Sequence, residues 1–284
     1  MIKKQNQEML AEGIIAKKSK GQNFLTNSYF INKIVDSAFE LSKTNILEIG
    51  PGMGALTNEI LKKANKFVCV EVDPDLVKYL TIKFQNQNLK IIEADILTLD
   101  LETLFVTDFP DDNPISIISN LPYYITSPII FKLLKIKNPK VKEIILMMQK
   151  EVGERIMAQS NSKVYNNLSI VCQFYSDIEK VCFVGRNNFV PAPKVDSVVL
   201  KFKLNRKYPD LKNEEDFIMF IRAMFATKRK TILNNLATIL HNKTLAQDIL
   251  LKLNYSLTLR SESLTLNDFY ILYNEVKQNE KEGQ

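Results

Sequence analysis

Between Thr44 and Phe202, short apolar runs alternate with stretches whose apolar residues recur every three or four positions. That pattern predicts a parallel sheet with helices on its faces. Strands are expected at Asn45–Ile49, Phe67–Val72, Leu89–Glu93, Ile115–Ser119 and Glu143–Met148, with helices between them such as Ala55–Ala64 and Pro74–Phe84. Asp73 before Pro74 reads as an N-cap followed by proline at the first helical position. Two further β-rich runs, Ile178–Val184 and Ser197–Lys203, have no clear helix between them and are expected to close the sheet as an antiparallel pair. Beyond Tyr208-Pro209 the texture changes. Asp216–Ala226, Lys230–Leu240, Leu245–Leu253 and Leu266–Lys277 carry helical spacing without strand alternation, which predicts a small all-helical domain.

Composition narrows the function classes. At 284 residues, 45% hydrophobic and 25% charged, the chain is long enough for one large domain and one small one, each with a core. Its longest apolar runs, such as Ile144–Met148, fall far short of the ~20 residues that span a bilayer, and no membrane partner is expected. The first twenty residues hold five lysines and no apolar stretch, so no signal peptide is expected. Three cysteines, Cys69, Cys172 and Cys182, show no paired spacing, and there is one histidine, His241. This argues against a disulfide framework, most zinc sites and any mechanism that needs two histidines, and it suits a reducing cytoplasm. No metal is expected. Thirty-eight Lys and Arg against 32 Asp and Glu leave +6, a modest excess compatible with a polyanionic partner.

Glycine is scarce, yet three of the eight lie between positions 50 and 54. Ile46-Leu47-Glu48-Ile49-Gly50-Pro51-Gly52-Met53-Gly54 is an apolar strand running into a glycine turn and then a helix. Glycine serves there because a turn needs positive φ or a ligand approaches the main chain. Glu71 ends the next strand, 21 residues after Gly50, where a carboxylate can accept hydrogen bonds from both hydroxyls of a ribose. Asp95, after the third strand, is placed to receive an adenine amino group at the same crevice. Together these features point to a nucleoside cofactor. They do not choose the chemistry, since Gly50, Gly52 and Ala55 also satisfy a nicotinamide-cofactor fingerprint.

The fourth strand runs directly into Asn120-Leu121-Pro122-Tyr123. An adenine exocyclic amine is a poor nucleophile because its lone pair is delocalised into the ring. Two acceptors, the Asn120 side-chain oxygen and the Leu121 carbonyl, can take its two hydrogens and favour a tetrahedral nitrogen with its lone pair aimed at an electrophilic methyl. Pro122 stiffens the turn so that the acceptors are aimed beforehand. Tyr123 offers a flat face for a base taken out of its stack. No general base is required, which agrees with a lone His241 expected to be structural or exposed.

These residues resemble the S-adenosylmethionine-dependent rRNA adenine N6-dimethyltransferases. The resemblance rests on Gly21–Leu25, Glu48–Gly54, Glu71, Asp95 and Asn120–Tyr123, then Phe189–Ser197, Lys228–Thr231, Asn234–Leu236 and Arg260–Leu264, in order from about Lys20 to Tyr270. It implies a Rossmann-like methyltransferase domain over 20–207, a helical domain over 208–284 and a flexible basic arm over 1–19. The later motifs are similar to the bacterial small-subunit (16S) branch, whose loss gives kasugamycin resistance. The family then implies dimethylation of two adjacent adenosines near the 3′ end of small-subunit rRNA. Carried over, Asn23 and Leu25 would close over the cofactor, Gly50 and Gly52 would line its methionine portion, Glu71 would hold its ribose and Asp95 its adenine. Asn120 would touch both cofactor and base, and Phe189 would stack on the base opposite Tyr123. Tyr124 stands where the family usually has asparagine, and Thr126-Ser127 reverses the usual order, which bears on pocket shape.

Basic residues are dispersed: residues 201–284 hold 14 Lys and Arg against 10 Asp and Glu. The one dense cluster, Lys228-Arg229-Lys230, stands at a helix start, against the macrodipole preference, which suggests phosphate contact; Lys194 is a second candidate. The expected partner is small-subunit rRNA within an immature 30S particle, met by a monomer. Rival readings are a large-subunit rRNA methyltransferase of the macrolide-resistance type, a non-catalytic assembly factor, a DNA adenine methyltransferase and a nicotinamide dehydrogenase.

Overall fold

The structure is a computed structural model in which residues 22–85, 87–227 and 229–282 are described. The basic arm of residues 1–19 and Lys228 lie outside them. Among the described residues, nine strands follow in chain order: β1 (Phe24–Leu25), β2 (Asn45–Ile49), β3 (Phe67–Glu71), β4 (Lys90–Glu93), β5 (Ile115–Asn120), β6 (Val141–Gln149), β7 (Ser176–Val184), β8 (Phe189–Val190) and β9 (Ser197–Leu204). The helices are α1 (Ser28–Val35), α2 (Ala55–Ile60), α3 (Pro74–Lys83), α4 (Leu101–Asp108), α5 (Thr126–Leu134), α6 (Lys150–Ile156), α7 (Asn167–Tyr175), α8 (Glu214–Met224), α9 (Ile232–Leu240), α10 (Lys243–Lys252) and α11 (Leu266–Glu282).

The first unit comprises the described residues up to Gly153 with Asp177–Leu204. Its seven-stranded sheet has the order β4-β3-β2-β5-β6-β9-β7, parallel from β4 to β6 and antiparallel between β6 and β9. The expected strands are thus present, and the sheet closes with β9 antiparallel to β6 and with β7 next to β9 at the edge. Covered on both faces, the central strands have no polar side to show, so they read as near-continuous apolar runs. Ile46, Leu47, Ile117 and Ile118 are fully buried, each worth roughly 1.5–3 kcal/mol against exposure. Local chemistry sets the helix starts. Asp73 caps α3 by accepting from Asp75 N, with Pro74 at the first position, and Asp100 caps α4 through Glu102 N and Thr103 N. The helix expected over Ala55–Ala64 is shorter, ending at Ile60.

Three elements that bear on the site or on the domain division escaped the sequence pattern. β1 and β8 pair antiparallel, Phe24 opposite Val190 and Leu25 opposite Phe189, so the first and the Pro-rich motifs of the sequence form one small ladder. The third is α7, whose Asn166–Ser169 capping box starts a helix buried at seven of its nine positions. An element apolar all round has no face for periodicity to reveal.

Helix α7 also alters the domain division. The second unit takes Glu154–Ser176 together with the chain from Asn205 onward, where a single boundary after 207 was expected. The physical reason is that α7 completes the helical core: the Phe174 ring meets Phe217 edge to face at 5.4 Å. Within this unit Asn235 is buried and donates to the Met224 carbonyl at 2.8 Å, and the Ser261 hydroxyl donates to the same oxygen. Both belong to motifs quoted above, and both serve to close the end of α8. His241 is exposed at the end of α9 with φ 52°, a helix-terminating residue.

Glu143 in β6 is buried, accepts from Phe39 N and Ser116 Oγ at one oxygen, and meets Lys201 Nζ at 2.6 Å with the other. Removing the cation leaves a buried carboxylate unpaired. Lys201→Met should lower unfolding free energy by about 3–5 kcal/mol, and Glu143→Gln in the same chain should recover part of it, as read by urea denaturation.

Candidate active site

The strand order reverses between β2 and β5, the place where open α/β sheets bind ligands at the carboxyl ends of their strands. A crevice opens there, lined by residues following β2, β3, β4 and β5 together with Gln22–Leu25. Ile49 stands opposite Ser119, and the Ser119 hydroxyl donates to the Ile49 carbonyl at 2.6 Å. The next residues on the two strands are Gly50 and Asn120. The pairing therefore fixes the glycine loop beside the Asn120 tetrapeptide.

Gly50 and Gly52 have φ of 65° and 59°, a region that side chains rarely adopt. A Cβ on Gly52 would lie 2.9 Å from the Phe24 ring, while one on Gly50 would meet nothing within 4 Å. The loop is thus packed under β1 on one side and open to the crevice on the other. Such a cradle suits a cofactor whose polar portion approaches the main chain.

Glu71 ends β3 at the crevice. Its Oε1 accepts from Val72 N and Asp73 N at 2.9 and 3.0 Å, and Oε2 accepts from Gly52 N at 3.3 Å. Burial pushes its pKa up, while these three backbone donors pull it down. The donors fix the carboxylate in place, and the long Gly52 contact leaves Oε2 with acceptor capacity toward the crevice. Asp95 lies across the crevice and accepts Leu97 N with Oδ1 at 2.8 Å, which orients its second oxygen.

Asn120 and Asn23 are brought together. The Asn120 side-chain nitrogen donates to the Asn23 carbonyl at 3.0 Å. With the nitrogen engaged there, the amide presents its oxygen as an acceptor. Leu121 is anchored by its N–H on the Met147 carbonyl, and Pro122 has φ −61° and ψ 129° before a single 3-10 turn at Tyr123–Ile125. Tyr123 lines the crevice with its hydroxyl 2.7 Å from the Ser197 Oγ. Burial pushes its pKa up, so the hydroxyl stays neutral and the ring is pinned at its far end. Tyr124, 59% exposed, also lines the crevice.

Phe189 is not among the crevice residues. At 2% exposure it belongs to the core with Leu25, Ile34 and Val184, because β8 pairs with β1 and turns its ring inward. The aromatic sandwich expected around a base is therefore a single face, Tyr123, in this structure. Leu25 lines the crevice yet is itself largely core. Lys194, Arg229 and Lys230 are exposed and are not among the residues that line the crevice, the last two preceding the Thr231 cap of α9.

The residue the sequence reading passed over is Glu48. It sits in the middle of β2, 1% exposed, accepting from Thr57 Oγ1 at 2.6 Å and from Cys69 Sγ at 3.5 Å, and it lines the crevice floor. Desolvation, only partly offset by these donors, raises its pKa from 4.5 to about 7. The signal was present as a carboxylate between Leu47 and Ile49, inside an otherwise apolar strand.

The sequence model of a family described as "Ribosomal RNA adenine dimethylase" matches residues 14–274. "Ribosomal RNA small subunit methyltransferase A" of Mycoplasma capricolum is 46% identical over 260 residues, covering 91% of this chain and 97% of the relative. The protein of the same name from Bacillus mycoides is 40% identical over 269 residues, covering 92% and 91%. Among solved structures, a dimethyladenosine transferase from Plasmodium falciparum superposes with a TM-score of 0.75 at 30% identity, covering 90% of this chain and 98% of its own. The 23S rRNA methyltransferase ErmE gives 0.67 at 24% identity, covering 90% of this chain and 100% of its own, a likeness of fold.

Glu48 makes stability depend on pH in a definite direction. The folded chain keeps a proton that the unfolded chain releases above 4.5, so stability is greatest below that value, falls as pH rises to about 7, and is level beyond. The loss amounts to roughly 3 kcal/mol. Urea unfolding of Glu48→Gln at pH 5 and pH 8 should show this component of the fall removed and the variant more stable than the parent at pH 8.

Proposed function

The chain belongs to the ribosomal RNA adenine dimethylase family, and from that premise we infer that it dimethylates the exocyclic amines of two adjacent adenosines near the 3′ end of small-subunit rRNA during small-subunit maturation. The observation that carries the reading is the placement of Asn120-Leu121-Pro122-Tyr123 at the carboxyl end of β5, in one crevice with the glycine loop, Glu71 and Asp95. Relatives at 40–46% identity bear the small-subunit name, which favours that branch over the large-subunit, macrolide-resistance alternative.

S-adenosylmethionine, when bound, supplies an electrophilic methyl group. The residues present fit it: Gly50 and Gly52 would receive its methionine portion, the fixed Glu71 carboxylate its ribose hydroxyls and Asp95 its adenine amine, with Asn23 and Leu25 at the rim. Asn120 would accept one hydrogen of the target amine through its side-chain oxygen, and the Leu121 carbonyl would accept the other. Both hydrogen bonds strengthen as the nitrogen turns tetrahedral and gains positive charge, which is where pre-aimed acceptors lower a barrier. Pro122 holds the turn, and Tyr123, pinned through Ser197, would carry the extruded base on its face. The nitrogen reacts neutral and releases its proton afterwards, so no buried base is required.

Lys194 and the Lys228-Arg229-Lys230 cluster are assigned to rRNA phosphates. The substrate is taken to be an immature 30S particle, the compartment the cytoplasm and the working form a monomer. Among the described residues no helix is long and apolar enough to cross a membrane.

Incubation with methyl-labelled S-adenosylmethionine and unmodified small subunits, followed by digestion and mass analysis, should yield N6,N6-dimethyladenosine, with none from large-subunit rRNA or DNA. Tight particle binding without labelled adenosine would instead indicate an assembly factor. Asn120→Ala should lower kcat by about 10²–10³-fold while cofactor binding is largely retained; normal turnover in it would remove the acceptor mechanism. Changing Lys228, Arg229 and Lys230 to Ala should weaken particle binding and flatten its log–log salt dependence by roughly 0.7–0.9 for each phosphate no longer neutralised.

A further inference from the structure

Phe183 lies in β7, the outer strand of the sheet, between the buried Cys182 and Val184. Strand alternation turns it outward, and its ring is 45% exposed. Lys180 Nζ stands 4.5 Å from the ring centroid and Lys150 Nζ 5.6 Å from it. A large apolar ring held in water among ammonium groups contributes little to a core, and its chemistry is that of a surface for flat, anionic matter. Aromatic platforms bordered by cations are how proteins hold single-stranded nucleic acid, with bases on the ring and phosphates on the charges.

A chain of contacts runs from this ring to the crevice. Arg186, three residues on, donates its main-chain N–H to Asp196 Oδ1 at 3.0 Å and Nη1 to the Lys194 carbonyl at 3.3 Å. Lys150 N donates to the Asp196 carbonyl at 2.9 Å, and the following residue, Ser197, holds the Tyr123 hydroxyl. Phe183, Lys150, Lys180, Arg186 and Lys194 are all exposed and border one loop that ends at the face proposed for the target base. A second lysine-lined cavity lies near the amino ends of the strands. Three of its four lysines are held by protein acceptors: Lys140 on the Phe109 and Asp111 carbonyls, Lys201 on Glu143, and Lys203 on Glu179.

We propose that Phe183, with Lys150, Lys180 and Arg186, forms a docking platform for the rRNA nucleotides that flank the target adenosine, one base stacking on the ring while its neighbouring phosphates meet the cations. This deepens the function proposed above and rests on it. Lysine stems are flexible, so the two ammonium groups can leave the ring for phosphate without moving the strand.

Methylation of unmodified small subunits should be measured against particle concentration for the parent, Phe183→Ala, Phe183→Tyr and Lys180→Gln. Phe183→Ala should raise KM for the particle about tenfold with kcat and cofactor affinity unchanged, and Phe183→Tyr should restore it. Lys180→Gln should flatten the salt dependence of binding by roughly 0.7–0.9. An unchanged KM in Phe183→Ala, or a rise equally large in Phe183→Tyr, would overturn the platform. Binding of each protein to a 3′-terminal small-subunit rRNA fragment without cofactor separates the two readings. An inactive parent that binds the fragment through Phe183 sinks the reaction and keeps the surface; an active parent whose binding ignores Phe183 does the reverse.

Discussion

The pairing of β2 with β5 is the constraint on which the site depends. Five successive residue pairs, from Asn45 with Ile115 to Ile49 with Ser119, bring two strands far apart in sequence to a common end. The glycine loop leaves one strand and the Asn120 tetrapeptide leaves the other, so the proposed cofactor cradle and the proposed amine acceptors share one origin. Side chains alternate along a strand, and a slip of one residue would send Asn120 to the opposite face. Burial on both faces and the Ser119 hydroxyl on the Ile49 carbonyl hold that register.

Around this frame, chain segments distant in sequence are tied by a few directional contacts. The Asn23 carbonyl receives the Asn120 amide, the Phe24 ring packs beside Gly52, and β1 pairs with β8. Ser197 in β9 reaches Tyr123 from the antiparallel side of the sheet. Each of these contacts holds a residue of the crevice lining. Orientation is therefore supplied by the whole first unit rather than by the tetrapeptide alone.

Much of this was legible in the residues. Strand cores announce themselves as apolar runs, glycine clusters mark tight main-chain approach, and acids at strand ends fall at a crevice because open parallel sheets put their loops there. What stayed hidden has physical causes. Two-residue strands such as β1 and β8 are too short for any period. Helix α7 is buried all round, so its pattern resembles a strand, and its membership of the second unit follows from packing of Phe174 on Phe217. The family resemblance gave Phe189 a stacking role, but a pairing partner 164 residues away turned its ring into the core. Exposure of Phe183 was equally invisible, since a phenylalanine in a β-rich run looks like core until the strand is known to be an edge.

The two hydrogen-bond acceptors proposed for the target amine differ in what heredity can do to them. Asn120 contributes a side chain, and a single codon change can delete its oxygen. Leu121 contributes its main-chain carbonyl, which every one of the twenty residues also carries. Substitution at 121 can reshape the wall of the crevice but can never erase that acceptor. Half of the amine recognition proposed for this site is thus written in the path of the backbone, where no point mutation can delete the acceptor itself.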